Sequence, residues 1–325
     1  MSGIHSGGVL VHSENQELRL ELLAAAKSLA GKLSKGVSAA LIGSEVDEEG
    51  VQECLSHGAD QVYTLEDPSL DVFSAETHSQ ALVQAVSVDR SEAVLVGGTR
   101  RGKALAPRVA ASLETGCMTD CVALDIDGDR RLVGTRLTYG GSALARMVAV
   151  KKPQVATVPA KVFPAATLSQ AVGRAVRLRP ETRDTRLQIL ERMPRKTQGA
   201  GLENAEIVVA CGRAIKRKED LGMMDELAAV MGAELSCTRP LAADMNWMSE
   251  WVGLSGHKIR PKLYLSCGIS GTIQHVAGIR DAKTILAINS DETAPIFNCA
   301  DYGVVGDVYK IVPLLTARLK EFFGA

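Results

Sequence analysis

Short aliphatic segments alternate with longer segments of helical spacing in the first hundred residues, and this alternation constrains the fold more than any other feature of the sequence. Four aliphatic segments are predicted strands: residues 9–12, 37–42, 61–65 and 93–96. The segments between them have apolar residues at helical spacing and are predicted helices: residues 14–32, 48–57 and 79–88. Strand-helix alternation is typical of a parallel sheet covered by helices on both faces. The sequence therefore predicts an α/β domain.

The pattern changes in residues 120–161. Apolar residues there occupy alternating positions, and the Asp-Gly pair at Asp127 and Gly128 predicts a β-hairpin. We therefore expect a first domain, residues 1–190, with a mostly parallel sheet plus a β-hairpin section, ending in antiparallel strands. Residues 177–202 are charged and poor in large apolar side chains. We interpret them as an exposed strand or a linker between domains.

A second strand-helix alternation predicts another α/β domain over residues 191–325. Its predicted strands are residues 207–210, 263–266 and 284–288, and a short strand precedes Thr238. Residues 219–231 and 307–323 are predicted helices. Pro313 is expected to bend or interrupt the last of them, because proline lacks a main-chain N–H.

The charge balance excludes some classes of function. The chain has 37 basic and 38 acidic residues, so nothing in its net charge of −1 favours nucleic acid or an anionic membrane surface as a partner. No run of about 18 apolar residues occurs, which predicts no membrane span. The N-terminal residues lack the features of a signal peptide, so we expect a cytoplasmic protein.

The cysteines predict free thiols rather than a disulfide framework or a metal site. There are seven, an odd number, and most stand inside apolar segments. Cys117 and Cys121 form the one close pair, and no second pair or nearby histidine completes a zinc ligand set. We therefore predict no metal site.

A phosphate-loop lookalike follows the predicted strand 93–96. Gly97, Gly102 and Lys103 match the spacing G-x4-G-K, but Ala104 stands where a magnesium-binding hydroxyl is needed. We interpret the segment as a glycine-rich turn from strand to helix, with Arg100, Arg101 and Lys103 in solvent. A weak anion or partner contact remains the alternative.

The segment "LYLSCGISGTIQHVAG", residues 263–278, has the layout of a dinucleotide-binding turn. Ser270 is the expected N-cap of a helix that begins at Gly271, and Gly268 and Gly271 would let a diphosphate approach the main chain. His275 would share a helix face with Gly271 and could reach a ring carbonyl of a cofactor. A half-buried histidine satisfied by the protein is the equal alternative. The G-x-G-x-x-G pattern of an NAD site is missing.

Other predicted strands of this half also end in residues suited to a ligand. Arg213 follows "VVACG", Thr238 and Arg239 follow "LSC", and the loop "VGLSG" carries Ser255. Ligands of open parallel sheets lie beyond the carboxyl ends of the strands, so we expect a cofactor crevice here. Taken singly, Arg213 could flank a helix and Arg239 could be a turn residue before a proline.

The second half of the chain resembles the alpha subunits of electron transfer flavoproteins. The segments that carry the resemblance are "CGRAIK", "TRPLAAD", "VGLSGHKIRPKLYLSCGISG" and "GISGTIQHVAGIRDAKTILAINSDETAPIFNCADYGVVGDVYKIVPLL", in the order of that family. Weaker similarity occurs in "GKALAPRVAASL" and "RLTYGGSALA". The resemblance covers most of the chain and is strongest over residues 204–320.

The resemblance implies a redox carrier rather than a complete enzyme. Its second domain would be a Rossmann-like domain that binds FAD, and the chain would form a heterodimer with a beta subunit. Electrons would pass between a dehydrogenase, of the acyl-CoA dehydrogenase type that serves fatty acid β-oxidation, and a downstream acceptor. The alternatives are an NAD-linked oxidoreductase, a nucleotide-dependent enzyme built on the first domain, a cofactor-free interaction subunit, or a subunit of an electron-bifurcating complex.

The resemblance also implies roles for individual residues. Arg213 and Arg239 would lie near the flavin and its diphosphate, and the Ser255 hydroxyl would face the flavin N5. Residues 270–275 would wrap the ribityl chain and diphosphate, with His275 directed at the flavin O2. There His275, cationic or donating, would stabilise negative charge on the reduced ring together with Arg239. Asn289 and Asp301 would hold the adenosine.

The loop before Ser255 departs from the family pattern. Family members often carry glutamine on either side of a Val-Gly pair, where this chain has Trp251 and Leu254. Trp251 could pack against the cofactor or a partner, and the flavin potential would differ from the usual type. The full set of predicted cofactor-binding residues is Arg213, Thr238, Arg239, Val252, Gly253, Leu254, Ser255, Gly268, Ser270, Gly271, Thr272, Ile273, Gln274, His275, Asn289 and Asp301.

Overall fold

The chain forms two compact units in a computed structural model, Met1–Arg192 and Met193–Ala325. The structure describes residues 7–169, 173–181, 187, 190–191 and 201–324. Each unit is an α/β layer structure, which confirms the predicted two-domain α/β fold.

The first unit is built on a seven-stranded parallel sheet. Its helices and strands are β1 (Val9–His12), α1 (Gln16–Leu33), β2 (Val37–Gly43), α2 (Glu48–Ser56), β3 (Gln61–Glu66), α3 (Ala75–Asp89), β4 (Ala93–Gly97), α4 (Arg100–Ser112), β5 (Cys117–Met118), β6 (Cys121–Ile126), β7 (Leu132–Thr138), β8 (Ala143–Val148), β9 (Gln154–Val158) and β10 (Arg174–Leu178). The order of the sheet is β10-β3-β2-β1-β4-β9-β5.

Local side-chain bonds define where the helices of this unit begin. The Asn15 side chain accepts from the main-chain N of Leu18 at the start of α1, and Asp47 and Ser74 cap α2 and α3 in the same way. The central strands are buried on both faces, with α1 and α2 over one face and α3 and α4 over the other. Continuous aliphatic strands fit this double burial.

The predicted hairpin is confirmed, but the predicted end of the domain is wrong. β6, β7 and β8 form a separate antiparallel sheet, and Asp127 closes the first turn by accepting from the main-chain N of Arg131. The chain then returns to the parallel sheet, because β9 pairs with β4 and β10 pairs with β3. The first two residues of the charged segment 177–202 thus lie in the edge strand β10, where charged side chains can remain in solvent. Most of its later residues lie outside the described residues.

The second unit contains one five-stranded parallel sheet. Its helices and strands are β11 (Ile207–Cys211), α5 (Leu221–Met231), β12 (Glu234–Cys237), β13 (Leu263–Cys267), α6 (Ile273–Ile279), β14 (Ile285–Asn289), β15 (Tyr302–Val305) and α7 (Val308–Phe323). The order of the sheet is β12-β11-β13-β14-β15. α5 and α7 cover one face, while α6 and the loop around Val252 cover the other.

Two features of this unit differ from the sequence prediction. β15 was not predicted, because it is only four residues long, contains Gly303 and lies exposed as the last strand of the sheet. α7 continues through Pro313, so the predicted interruption is wrong, while the alternative of a bend stays a prediction. Pro313 is exposed, so water can donate to the carbonyl oxygen of the preceding turn, which has no N–H partner at this position. In the described part of the chain, no helix is both long and apolar enough to cross a bilayer.

Candidate functional site

The candidate site of the second unit lies where the carboxyl ends of β11, β12, β13 and β14 meet. β11 and β13 are neighbours at the centre of the sheet, and their following connections run to opposite sides, to β12 and to β14. This divergence opens a crevice at the strand ends, which is where open α/β sheets bind ligands. The loops that carry most of the predicted residues begin here.

Main-chain hydrogen bonds join these loops into one rim. Three of the bonds run from the first residue after one strand to a neighbouring strand, and the fourth runs from the loop residue Val252 to the end of β12. The four bonds are Thr238 N to Cys211 O at 3.0 Å, Gly212 N to Cys267 O at 3.0 Å, Gly268 N to Ile288 O at 2.8 Å, and Val252 N to Cys237 O at 3.0 Å. The positions of the loops are therefore fixed by the sheet itself.

The loop 252–256 is attached to α6 as well as to the sheet. The main-chain N of Leu254 donates to Gln274 O at 2.8 Å. Val252 and Gly253 are buried by this attachment, while the Leu254 side chain stays 50% exposed and Ser255 is exposed. The structure thus brings the predicted residues 252–255 and 272–275 together.

Gly268 and Gly271 are required by the protein itself. Their φ angles are +64° and +80°, and a Cβ would lie 2.2 Å from the Cβ of Ala214 at position 268 and 2.3 Å from Ile296 N at position 271. The two glycines thus allow tight turns and close contacts between loops. Their predicted role in the approach of a diphosphate stays a prediction.

The predicted start of α6 is wrong. The helix begins at Ile273 after Thr272, and neither residue 270 nor 272 caps it with a side chain. The main-chain oxygen of Ser270 accepts instead from Ile296 N at 3.0 Å. Because the positive φ of Gly271 turns the chain before the helix starts, Gly271 and His275 do not share a helix face.

His275 is buried and bonded to protein groups in this structure, which disfavours the cationic form, while its predicted direction at the flavin O2 stays a prediction. Its side chain is 5% exposed, its Nδ1 lies 3.1 Å from Val252 O, and its Nε2 lies 2.8 Å from the Tyr264 hydroxyl. Burial lowers the pKa of His275 to about 4. The protein-satisfied alternative is the one that the structure shows.

Asn289 and Asp301 lie at opposite ends of the strands, Asn289 at the carboxyl end and Asp301 at the amino end. Asn289 ends β14 at the site, where its Nδ2 donates to Ile269 O at 2.9 Å. Asp301 precedes β15 and accepts from the main-chain N of Ile285 at 2.8 Å, at the start of β14. The rise of β14 separates the two edges by about 13 Å. Asp301 therefore does not belong to the site with the other predicted residues.

The predicted polar residues of the rim are available to a ligand. Arg213 and Arg239 are exposed, and neither forms an ion pair within the described residues. Thr238 is half-buried beside Arg239. The remaining exposed side chains of the rim are those of Leu254, Ser255, Ser270, Thr272, Ile273 and Gln274. The rim thus offers two cations, hydroxyl groups and an amide.

Three polar residues that were not predicted from the sequence lie on the sheet face beneath this rim. Tyr264, Ser266 and Ser236 are fully buried, and the two serine hydroxyls have no hydrogen-bond partner in the described structure. Ser236 and Ser266 flank Ala210 in register across three strands. The available signal was the polar residue at every second position of "LYLSC", which marks one face of a strand.

The phosphate-loop lookalike of the first unit is a packed turn. A Cβ on Gly102 would lie 1.8 Å from Gly97 O, so the glycines allow α4 to follow β4 closely. Lys103 Nζ pairs with Asp120 Oδ1 at 3.0 Å, and the Arg101 guanidinium lies 5.4 Å from the centre of the Phe73 ring. The turn interpretation therefore stands, although Lys103 and Arg101 contact protein groups rather than solvent alone.

Comparison with known proteins gives family matches to both units. The electron transfer flavoprotein domain matches residues 8–183, and the electron transfer flavoprotein FAD-binding domain matches residues 201–280.

Relatives match along almost the whole chain. Protein FixB of Clostridium saccharobutylicum is 37% identical over 320 residues, which cover 96% of this chain and 94% of that protein. The electron transfer flavoprotein subunit alpha of Thermoanaerobacterium thermosaccharolyticum is 37% identical over 308 residues, 93% of each chain. The lactate dehydrogenase (NAD(+),ferredoxin) subunit LctC of Acetobacterium woodii is 36% identical over 316 residues, which cover 95% of this chain and 75% of that one. With both family domains in order and relatives of this similarity, the chain belongs to the electron transfer flavoprotein alpha subunit family.

Proposed function

We propose that this chain binds FAD at the carboxyl edge of its second sheet and carries electrons as one subunit of a heterodimer with a beta subunit. The donor would be a flavin dehydrogenase, of the acyl-CoA dehydrogenase type, and the electrons would pass on to a downstream acceptor. The observation that carries the proposal is the rim itself. It joins Arg213 and Arg239, which are exposed and form no ion pair with any residue that the structure describes, to hydroxyl and amide side chains at a topological switch point.

The donor set of this rim fits the groups that FAD presents. A diphosphate is anionic, and Arg213 and Arg239 supply fixed positive charge with hydrogen-bonding N–H groups. A ribityl chain carries hydroxyls, which Ser255, Ser270 and Gln274 can match. Leu254 and Ile273, which are 50% and 74% exposed, offer apolar surface to a flat ring. Asp301 has no part in the proposed site because it lies at the other edge.

Each of these residues would bind or orient the cofactor. A bound flavin would supply the one- and two-electron transfer of a redox carrier. The arginines would hold the diphosphate, and the rigid loop 252–256 would fix the ring at one distance from the sheet. When the flavin ring lies against Leu254 and Ile273, these two side chains would exclude water from the contacted face of the ring.

The cofactor content of the assembled protein tests this proposal. The chain should be co-expressed with its beta subunit and purified as the complex, and the flavin released by acid should be identified by chromatography against FAD and FMN. We expect FAD and a yellow complex. A well-assembled complex that is colourless and takes up no added FAD would refute the proposal.

A second candidate function is that of a subunit in an electron-bifurcating complex. The relative from Acetobacterium woodii is named as a subunit of a lactate dehydrogenase that uses NAD⁺ and ferredoxin, and it is 36% identical to this chain. The flavin count per heterodimer, and reduction of ferredoxin by NADH that depends on an added higher-potential acceptor for the second electron, separate the two candidates. Two flavins together with ferredoxin reduction would favour bifurcation, and a single flavin without it would favour the simple carrier.

A further inference from the structure

The loop 252–256 has a narrow neck, which His257 closes. The main-chain N of His257 donates to Trp251 O at 2.9 Å, and the main-chain O of His257 accepts from Gly253 N at 3.0 Å. Val252 and His257 form an isolated β-bridge at this point. The two ends of the loop are therefore joined through one residue, and a contact that holds His257 also holds the loop.

The His257 side chain lies between two carboxylates. Its Nδ1 is 3.1 Å from Glu203 Oε1, and its Nε2 is 3.5 Å from Glu250 Oε2. The side chain of His257 is 11% exposed, while those of Glu250 and Glu203 are 23% and 53% exposed. The imidazole is thus largely withdrawn from water, and each of its nitrogens faces an acidic group.

Glu203 gives this contact a fixed base. It lies in the short segment before β11, 54 residues away from His257 in the chain. Its neighbours Leu202 and Ala205 are buried and pack in the same apolar cluster as Val252. The imidazole therefore ties the neck of the loop to a part of the chain that the core holds in place.

The chemistry of the two contacts assigns a cationic imidazole. An ionised carboxylate only accepts hydrogen bonds, and a neutral imidazole has a single N–H. In the neutral form, one ring nitrogen would therefore direct its lone pair at a carboxylate oxygen. The cation can donate from both nitrogens, to Glu203 and to Glu250 at once, and charge-assisted hydrogen bonds are stronger than neutral ones.

We propose that His257 is a positioning residue for the cofactor-facing loop 252–256, and that it acts as a cation held between Glu203 and Glu250. Leu254 and Ser255, the exposed residues of the loop, keep their places because the neck stays closed. The consequence for the cofactor rests on the proposed function, whereas the ion contacts and the closed neck do not.

Hydrogen exchange of the flavin-free complex with the beta subunit measures the neck directly. The reporting amides are those of Gly253 and His257, which form the two main-chain bonds of the neck. In His257→Gln we expect exchange at these amides to be about 3- to 10-fold faster, a value between that of an exposed ion pair and that of a hydrogen bond to a charged group. His257→Lys keeps a cation and should exchange like the unsubstituted chain. Fast exchange in the lysine variant, or unchanged exchange in the glutamine variant, would overturn the proposal.

Lys262→Gln is the matched control. Lys262 Nζ pairs with Glu206 Oε1 at 2.7 Å in the same unit, with side chains that are 63% and 68% exposed. The substitution removes a cation beside a glutamate, as His257→Gln does, but outside the neck of the loop. It should leave exchange at Gly253 and His257 unchanged. Faster exchange there in this control would show that any loss of positive charge loosens the loop, which would overturn the specific role of His257.

A double-mutant cycle shows whether His257 acts through Glu203. Glu203→Gln should speed exchange at the same amides as His257→Gln, because it removes one of the two charges that hold the imidazole. The double variant should exchange only as fast as the faster of the two single variants. Independent effects that multiply in the double variant would overturn the proposed contact.

Flavin affinity separates the positioning role from the proposed function. The dissociation constant for FAD should rise about 2- to 10-fold in His257→Gln and return to its original value in His257→Lys. Normal FAD affinity in His257→Gln, with faster exchange at the neck, would overturn the consequence for the cofactor. If the complex takes up no FAD while the exchange results hold, positioning of the loop by His257 is supported and the proposed function alone has failed.

Discussion

Gly278 of α6 and Gly253 of the loop 252–256 are in direct main-chain contact. A Cβ built on Gly278 would lie 2.6 Å from both the Cα and the N of Gly253. The contact explains how α6 can approach closely enough for Ile259 N to donate to Gly278 O at 2.9 Å. The distance between the loop and the helix is therefore set by the absence of two side chains.

Gly278→Ala should displace the loop 252–256 and weaken FAD binding. The added methyl group must push the loop away from α6, and overpacking of this kind costs about 1–3 kcal/mol in the free energy of unfolding. Urea unfolding and flavin titration measure the two effects. Gly222→Ala is the control, since a Cβ there has no atom within 4 Å and α5 should keep its stability. Equal behaviour of the two variants would contradict the assigned contact.

Arg239→Ala should weaken FAD binding more than the removal of an exposed arginine elsewhere. Arg239 is exposed at the rim without an ion pair in the described residues, and a charge-assisted hydrogen bond to a diphosphate is worth about 1.5–3 kcal/mol, or roughly 10- to 100-fold in the dissociation constant. Isothermal titration of the stripped complex with FAD measures the change. Arg318→Ala, at an exposed pair with Glu321, should bind FAD normally. Unchanged affinity in Arg239→Ala would remove that residue from the site.

The second unit should become less stable as the pH falls, because His275 binds a proton more readily in the unfolded chain. The pKa of His275 is about 4 in the folded chain and 6.5 in the unfolded chain, so the unfolded state binds more protons between these two pH values. The stabilisation is fully present above pH 6.5 and is lost as the pH falls towards 4, by about 3 kcal/mol in total. Urea unfolding followed by tryptophan fluorescence suits the measurement, because Trp247 and Trp251 are the only tryptophans of the chain.

His275→Gln should flatten this pH dependence between pH 7 and pH 5. Thr316→Val removes a hydrogen bond from a side chain that is equally buried but does not titrate, so it should lower stability by the same amount at each pH. An identical pH slope in His275→Gln and the unsubstituted chain would show that the histidine titrates normally in the folded protein.

Asp89→Ala should destabilise the first unit strongly. Asp89 is fully buried, and its carboxylate accepts from the hydroxyls of Ser38 at 2.7 Å, Ser91 at 2.6 Å and Tyr63 at 3.2 Å. Its removal leaves buried hydroxyls without this acceptor, and we expect a loss of about 3 kcal/mol. Hydrogen exchange of the β1 to β4 amides measures it. Asp129→Ala, whose side chain is 72% exposed on the hairpin, should change exchange very little.

Elements with a strong pattern could be predicted from the sequence, and those decided by pairing could not. β1 was predicted at its observed bounds, and β2, β3 and β4 to within one residue, because continuous aliphatic runs between helical segments have few other solutions. β15 has four exposed residues, and only its pairing with β14 makes it a strand. β10 is likewise charged and mostly exposed, and only its pairing with β3 makes it a strand.

For the site, the sequence determined which residue types follow the strands, and the tertiary structure decided which of them meet. Gly, Ser, Thr and Arg after apolar strands indicated a crevice at the carboxyl edge because parallel strands end together. The sequence could not place Asp301 at the opposite edge, since that depends on the register of β15 with β14. Nor could it decide the state of His275. Whether a histidine is a charged ligand or a neutral structural group depends on burial and on partners distant in the chain, here Tyr264 and Val252, and these come together only in the folded protein.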